Sequence, residues 1–443
     1  MFGRRHVLIC IVVALLGGGV GSGHGFAQVF TFQLSGSVVE NFAALVPEFD
    51  GRMWDEGTLL YAQDGYEPIA VVYESAPAGY IVTTRDTDFP PVIAYSTTSG
   101  FYWDDDGHNA LLDMLRYDLS RRLEALEECC ATPDRELERN PLFWDELGGA
   151  DVEFEVDFDF WGQSSSVRFL QASNAASAAT AATCWMETSR THGPALKTSW
   201  GQQGACNDLC PLDSITGGQS RTGCAATAMA QILYYWRQPA SVTLPAQSYS
   251  WFFVVGGQFR QGALVKSDAS LSSIPYGNEA ACQAPLSYAA GVSVEMKYSE
   301  PLSVISGNIS RSDYGPIGAI ATAFRTVWGY SSAVPRRNGV SGDLLFHVAM
   351  SVAEAASDAG IQQKAAYPAI LAVPRCWADV AWKTDEDLHL VVCDGFRSVV
   401  DDEYLFFSIK YGWDGRNDGY YCLPCGYAPE YNLLKAAVCD IHP

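Results

Sequence analysis

The sequence predicts an α+β chain of two units. Three observations carry that expectation. A run of short β-rich segments closed by one long amphipathic helix fills the first third, a small-residue tract follows, and in the remainder helical spacing comes first and strand patterns last. At 443 residues the chain is too long for one ordinary hydrophobic core. Hydrophobic residues at 48% and charged ones at 18% mark a folded chain rather than a disordered one. The net charge is −23, so no excess of Lys or Arg is available to neutralise phosphates. That argues against nucleic acid or an anionic membrane surface as a partner.

Residues 1–27 read as a secretory signal peptide: two arginines, the apolar run Val7 to Leu16, then small residues up to a cut after Ala27. No other stretch is long and apolar enough for a transmembrane helix, so the mature chain is expected to be exported, to the periplasm or beyond the cell. Residues 28–150 form the first unit. "PIAVVYES", "AGYIVTTRD" and "PPVIAYSTTSGFYW" are strands separated by Gly, Pro and Asp turn signals. Leu111, Met114, Leu115, Leu119, Leu123 and Leu126 then recur at helical spacing. Residues 151–185 end in "LQASNAASAATAATCW", an exposed linker by composition and a favourable place for proteolytic cutting.

Residues 186–443 form the second unit. A helix opens at Cys224 and is stopped by Pro239, with Ala225, Ala228, Met229, Ile232, Leu233 and Trp236 as its inner face. "GPIGAIATAFRTVWGY" and "LLFHVAMSVAEAASDAG" are also helical in spacing. "AYPAILAV", "LHLVVCDGF", "EYLFFSIKYGW" and "GYYCL" are strands, the order of an α+β plan with an antiparallel sheet.

Export permits disulfides, and the close spacing of Cys206 with Cys210 and of Cys422 with Cys425 suggests local bridges or bridges to a shared partner. A zinc site at these pairs is disfavoured by the residues between them, and no metal or cofactor is expected. Cys224 differs from the others. Gly223-Cys224 at a helix start combines the positive end of the helix dipole with a backbone that a substrate can approach closely. A nucleophilic thiol needs a base. Among seven histidines His389 stands out, a polar residue inside the apolar strand "DLHLVVCDG". A cysteine on an early helix and a histidine on a later strand form the arrangement of a Cys–His nucleophile and base. Each alone reads equally as a core residue.

The segments "LKTSWGQQGACNDLCP", "TGCAATAMAQILYYWRQP", "LSYAAGVSVEMKYS", "AIATAFRTVWGY", "LHLVVCDGF" and "FFSIKYGWDGRNDGYYCL" resemble, in order and spacing, the streptopain family of secreted cysteine peptidases. The resemblance implies a papain-like fold, helical part plus antiparallel sheet. It also implies that "GYIVTTRDTDFPPVIAYSTTSGFYWDDD" and the helix after it form an inhibitory propeptide. Carried over by position, Cys224 is the nucleophile, His389 the base and acid, and Gln202 of Trp200-Gly201-Gln202 an oxyanion donor. The backbone N–H of Cys224 is the natural second donor. One block departs. Where the family places an Asn to orient the imidazole, followed by Trp and Gly-Trp-Gly, this chain has Lys410, Tyr411, Gly412, Trp413 and Asp414. An ammonium only donates, so Lys410 cannot accept the imidazole proton, and its charge opposes an imidazolium. The expected substrates are proteins or peptides, with the propeptide as inhibitor. The competing expectation is a pseudopeptidase that binds peptides or proteases without cutting them.

Overall fold

The computed structural model describes residues 36–62, 68–86, 88–103, 109–127, most of 140–147, 191–244, 252–255, 258–261, 269–300, 303–305, 314–338, 344–353, 366–374, 388–399, 404–423 and 432–443. The expected signal segment, the whole of the linker 151–185, Cys425 and residues 375–387 before His389 lie outside the described residues.

The first unit begins with a helix over residues 36–45 (α1), absent from the sequence expectation. Four antiparallel strands follow as a meander: β1 (Thr58–Tyr61), β2 (Pro68–Glu74), β3 (Tyr80–Thr84) and β4 (Val92–Ser96). β3 and β4 are buried along their whole length, which is why they read as continuous apolar runs rather than alternating ones. The long helix α2 (Ala110–Glu127) is capped by Asn109, whose side-chain oxygen accepts the Leu112 N–H at 3.1 Å. Its expected apolar positions Leu111, Met114, Leu115 and Leu119 are buried.

In the second unit, short β5 (Thr191–His192) precedes α3 (Cys224–Trp236). Hairpin β6 (Phe252–Val255) and β7 (Gln258–Gln261), helix α4 (Glu279–Ser293), the pair β8 (Met296–Lys297) and β9 (Val304–Ile305), and helix α5 (Gly315–Thr326) come next. They are followed by β10 (Ser332–Arg337), helix α6 (Leu344–Ala353), β11 (Ala369–Pro374), β12 (Leu388–Val399), β13 (Tyr404–Lys410), β14 (Gly419–Tyr421) and β15 (Ala436–His442). α3 ends at Arg237, in the left-handed region at φ 54°, two residues before Pro239. Its burial goes beyond the expected inner face. Ala226, Thr227, Ala230 and Gln231 are also buried, because the helix is central rather than on a surface.

The two units share one sheet. The strand order is β1-β2-β3-β4-β14-β13-β12-β11-β15-β10, with β5 added to β12. The seam is β4 against β14, pairing Tyr95 with Tyr420 and Ala94 with Tyr421. Side-chain alternation splits the second unit's strands between two cores. Leu371, Val373, Val391, Cys393 and Ile409 belong to a core that also holds Val38, Phe42, Val82, Tyr95 and Leu115 of the first unit. Ile370, Ala372, Leu390, Val392 and Val438 face α3, α4 and α5 in a second core.

The seven described cysteines, Cys206, Cys210, Cys224, Cys282, Cys393, Cys422 and Cys439, are thiols. Cys206 and Cys210, whose spacing suggested a local bridge or bridges to a shared partner, are both buried thiols, and burial raises the pKa of each, Cys206 to about 11. No helix among the described residues is long and apolar enough to cross a membrane, and none of their His, Cys, Asp and Glu side chains cluster as a metal-binding set of three or more.

Candidate active site

Gly223 sets the entry to α3 at φ 89°, where side chains other than glycine are strained. Space forbids one as well, since an added Cβ would lie 2.9 Å from both the Met296 sulfur and the Ser303 carbonyl oxygen. The chain therefore turns sharply into the helix. From Thr222 to Leu233, Cys224 alone is not buried. The thiol stands half-exposed at the positive end of a 13-residue helix.

Thr227, one turn on, ties three segments together. Its hydroxyl lies 3.1 Å from the Gly223 carbonyl oxygen, 3.3 Å from that of Gly201 and 3.0 Å from the Thr222 hydroxyl. The Gln202 carbonyl accepts the Thr222 N–H at 3.1 Å. Further along α3, the Gln231 side-chain oxygen accepts from the Thr198 hydroxyl at 2.9 Å and from the Trp200 N–H at 3.4 Å. The indole N–H of buried Trp200 reaches Glu279 of α4 at 2.8 Å. Gln202, also buried, is thus held beside the first turn of α3 by its own loop. Gly201 is required there because a Cβ would fall 2.3 Å from the Asp414 carboxylate.

His389 lies near the start of β12, opposite Val373 of β11. Directly paired residues share a face, so the imidazole is on the side of the sheet whose core extends into the first unit. It is 3% exposed. Its Nε2 is 3.0 Å from the Tyr411 carbonyl oxygen. A carbonyl only accepts, so Nε2 carries the proton and Nδ1 is the basic nitrogen of the neutral ring. The Trp413 ring stacks on the imidazole with centroids 6.1 Å apart and planes 12° off parallel. The Arg221 guanidinium lies 5.4 Å from the centre of the Trp413 ring. α3 packs against β12, and Gly412, between Tyr411 and Trp413, faces the Thr227 methyl, to which an added Cβ would approach to 3.4 Å. The Tyr411–Trp413 loop that holds His389 therefore meets α3 at Thr227, whose hydroxyl also contacts the carbonyls of Gly201 and Gly223 on either side of Gln202 and Cys224 in the chain.

With Lys410 in the place of the family's orienting Asn, the resemblance left open what holds the imidazole; in the structure its partner is the main-chain carbonyl of the next residue. The Tyr411 side chain is buried core. The Lys410 ammonium is 3.3 Å from Asp418, whose other oxygen accepts the Tyr411 N–H at 3.0 Å. Asp394, fully buried, lies close enough to feel the same ammonium and holds the Leu196 N–H at 2.8 Å. Burial still pushes the Asp394 carboxyl up to about 6, with Lys410 pulling the other way, and burial also raises Asp418. Lys410 is thus turned into an acidic pocket rather than toward the imidazole. Thr227, Asp394 and Asp418 escaped the sequence reading. The one signal for Thr227 was a hydroxyl at the buried i+3 position of an otherwise apolar helix start.

The description "Peptidase C10 family" matches residues 200–421, half of the chain, spanning Gln202, Cys224, His389 and the Trp413 loop. The chain belongs to the peptidase C10 family. It is a cysteine-type peptidase. Among solved structures it is similar to a fragment of prointerpain A from Prevotella intermedia, at 16% identity and a TM-score of 0.50, over 87% of this chain and 99% of that one. At that identity the likeness is one of fold. Active wild-type interpain A, a cysteine protease of the same organism, aligns at 21% identity and a TM-score of 0.38 over 57% of this chain and 94% of its own. No curated protein sequence matches the chain.

Proposed function

We propose that this member of the family is a secreted endopeptidase made as a zymogen, with Cys224 as nucleophile and His389 as base and acid. The observation that carries the reading is the fixed imidazole: Nε2–H on the Tyr411 carbonyl and the ring stacked on Trp413, in a loop that packs at Gly412 against Thr227, one turn after Cys224. Nδ1 takes the thiol proton. The thiolate adds to the scissile carbonyl carbon, and the oxyanion is met by the Cys224 backbone N–H and the Gln202 side-chain amide. His389 passes its proton to the departing amine as the C–N bond breaks. Water, deprotonated by the same nitrogen, then hydrolyses the thioester.

The zymogen reading takes residues 1–27 as signal, 28–150 as inhibitory unit, 151–185 as the region of cutting and 186–443 as the peptidase. It is supported by the grip of the first unit on the loop beside His389. The Tyr80 hydroxyl donates to the Asn417 carbonyl at 2.8 Å, and the Ser96 hydroxyl to that of Asp418 at 2.6 Å. β5 pairs with Phe396 and Arg397 of β12, which favours a cut upstream of Thr191. The motive for a non-cutting peptide binder was Lys410. The Tyr411 carbonyl on the imidazole and the Lys410 ammonium beside Asp418 weaken that motive. The test is hydrolysis of labelled casein by the full-length chain under reducing conditions, with and without a thiol alkylator. Cys224→Ala is expected to lose at least about a thousandfold in rate; hydrolysis by that variant at the wild-type rate would sink the assignment.

A further inference from the structure

Beside Trp413 lies a pocket lined by Tyr102, Asn109, Arg221, Trp413, Asp414 and Arg416. Its first-unit wall is held as a bound peptide would be. The Tyr102 N–H donates to the Asn417 side-chain oxygen at 2.7 Å, and the Tyr102 ring lies under the Arg416 guanidinium, 4.8 Å from centroid to carbon. The Asn417 side-chain nitrogen donates to Asn109 at 2.9 Å, which fixes the amide with its oxygen toward Tyr102. Tyr102 thus presents one peptide N–H and one aromatic face to two adjacent residues of the peptidase.

We propose that Arg416 and Asn417 form a substrate subsite on the leaving-group side of the cut, accepting an aromatic side chain and the peptide N–H of the same residue, and that Tyr102 fills it in the uncut chain. The inference rests on the peptidase reading above. His389 must hand its proton to the departing amine, so the leaving half of a substrate crosses the imidazole and the Trp413 ring stacked on it. Arg416 comes next: its N–H donates to the Trp413 carbonyl at 3.0 Å. The turn has support of its own after the first unit departs. The Asp418 N–H donates to Gly415 at 3.2 Å, and the Asp418 side chain holds the Tyr411 N–H. A guanidinium with Asp414 beside it favours a neutral π face over a carboxylate, because an acidic side chain would also meet the Asp414 charge.

The test uses the full-length chain after it has processed itself in reducing buffer. Quenched fluorescent peptides share one acyl-side sequence and carry Tyr, Ala or Glu at each of the first three leaving-side positions. At one position the wild-type rate ratio of Tyr to Ala is expected to be about fivefold, with Glu no better than Ala. Arg416→Ala should bring that ratio close to one, and Arg416→Lys should keep part of it. A ratio is independent of how much of each preparation is active. The same ratio in wild type and Arg416→Ala would overturn the subsite while leaving the peptidase reading intact. Failure of wild type to cut any peptide or casein would bring down both. In a second measurement on unprocessed chain, Tyr102→Ala should shorten the lag before casein hydrolysis several-fold, and an unchanged lag would overturn the occupancy.

Discussion

Cys224 stands on a helix whose core partners among the described residues come from 196 to 441, whereas His389 stands on a sheet face whose core also contains residues between 38 and 147. The nucleophile's side of the cleft is complete within the second unit. The histidine's side shares its sheet, its apolar core and the loop that carries Trp413 with the first unit. The difference teaches where a zymogen of this shape is sensitive. Loss of the first unit changes the surroundings of the base far more than those of the thiol.

The comparison can be broken at the seam, where the largest effect is expected. Arg122 of α2 pairs with Asp118 at 2.8 Å, both buried, and donates to the Cys422 carbonyl at 3.1 Å, while the Tyr421 hydroxyl donates to Asp118 at 2.9 Å. Arg122→Ala leaves the carboxylate buried without its cation, at a cost of about 3–5 kcal/mol. Denaturant titration of the full-length chain should show that loss, with hydrogen exchange rising in β4 and β14 before α3. Equal exposure of α3 would mean that the two sides are not separable.

Thr227→Val tests the thiol side. It removes the hydroxyl shared by Gly201, Thr222 and Gly223 at nearly constant shape, and about 1–3 kcal/mol of stability should go with it. Casein hydrolysis should fall with no change in the grip of the first unit on the Asn417 loop.

Between about pH 4 and 6, stability should depend on Asp394. Asp394, buried, has a carboxyl pushed up to about 6 from an ordinary value of 3.8. A carboxyl whose folded value is raised keeps its proton longer in the folded chain. Its contribution is therefore fully present below the ordinary value, falls as pH rises toward 6 and is constant above it. Asp394→Asn should flatten the fall in Tm across that window, with the raised Asp418 and Asp414 accounting for what slope remains. An unchanged slope would remove Asp394 from the account.

The smallest effect is expected from Lys410→Asn. Because the Tyr411 main chain orients His389, kcat/KM should stay within about threefold of wild type. A gain beyond tenfold would show that the imidazole is poorly held in the native chain.

Much of this was legible beforehand. Strands β2, β3, β4 and β11 to β14 announced themselves as β-branched and aromatic runs between turns, and α2, α3 and α5 as periodic segments. Cys224 and His389 could be singled out because each breaks a local pattern, and Gln202 only through the family resemblance. α1, β1 and the short pairs β6 to β9 were not anticipated, being too short or too mixed for a period to show. Spacing suggested that Cys206 and Cys210 bridge each other or a shared partner, but spacing says nothing about whether two sulfurs meet.

The sequence by itself determined the longer periodic elements, the helix that presents a thiol and the need for a base on a later strand, because these follow from local periodicity and residue chemistry. Only the tertiary structure decided that one sheet runs through both units and that Lys410 turns to Asp418. The same is true of the Tyr411 main chain holding His389. Those outcomes depend on which strands become neighbours and on which backbone carbonyls are left to accept, and side-chain identity carries no record of either.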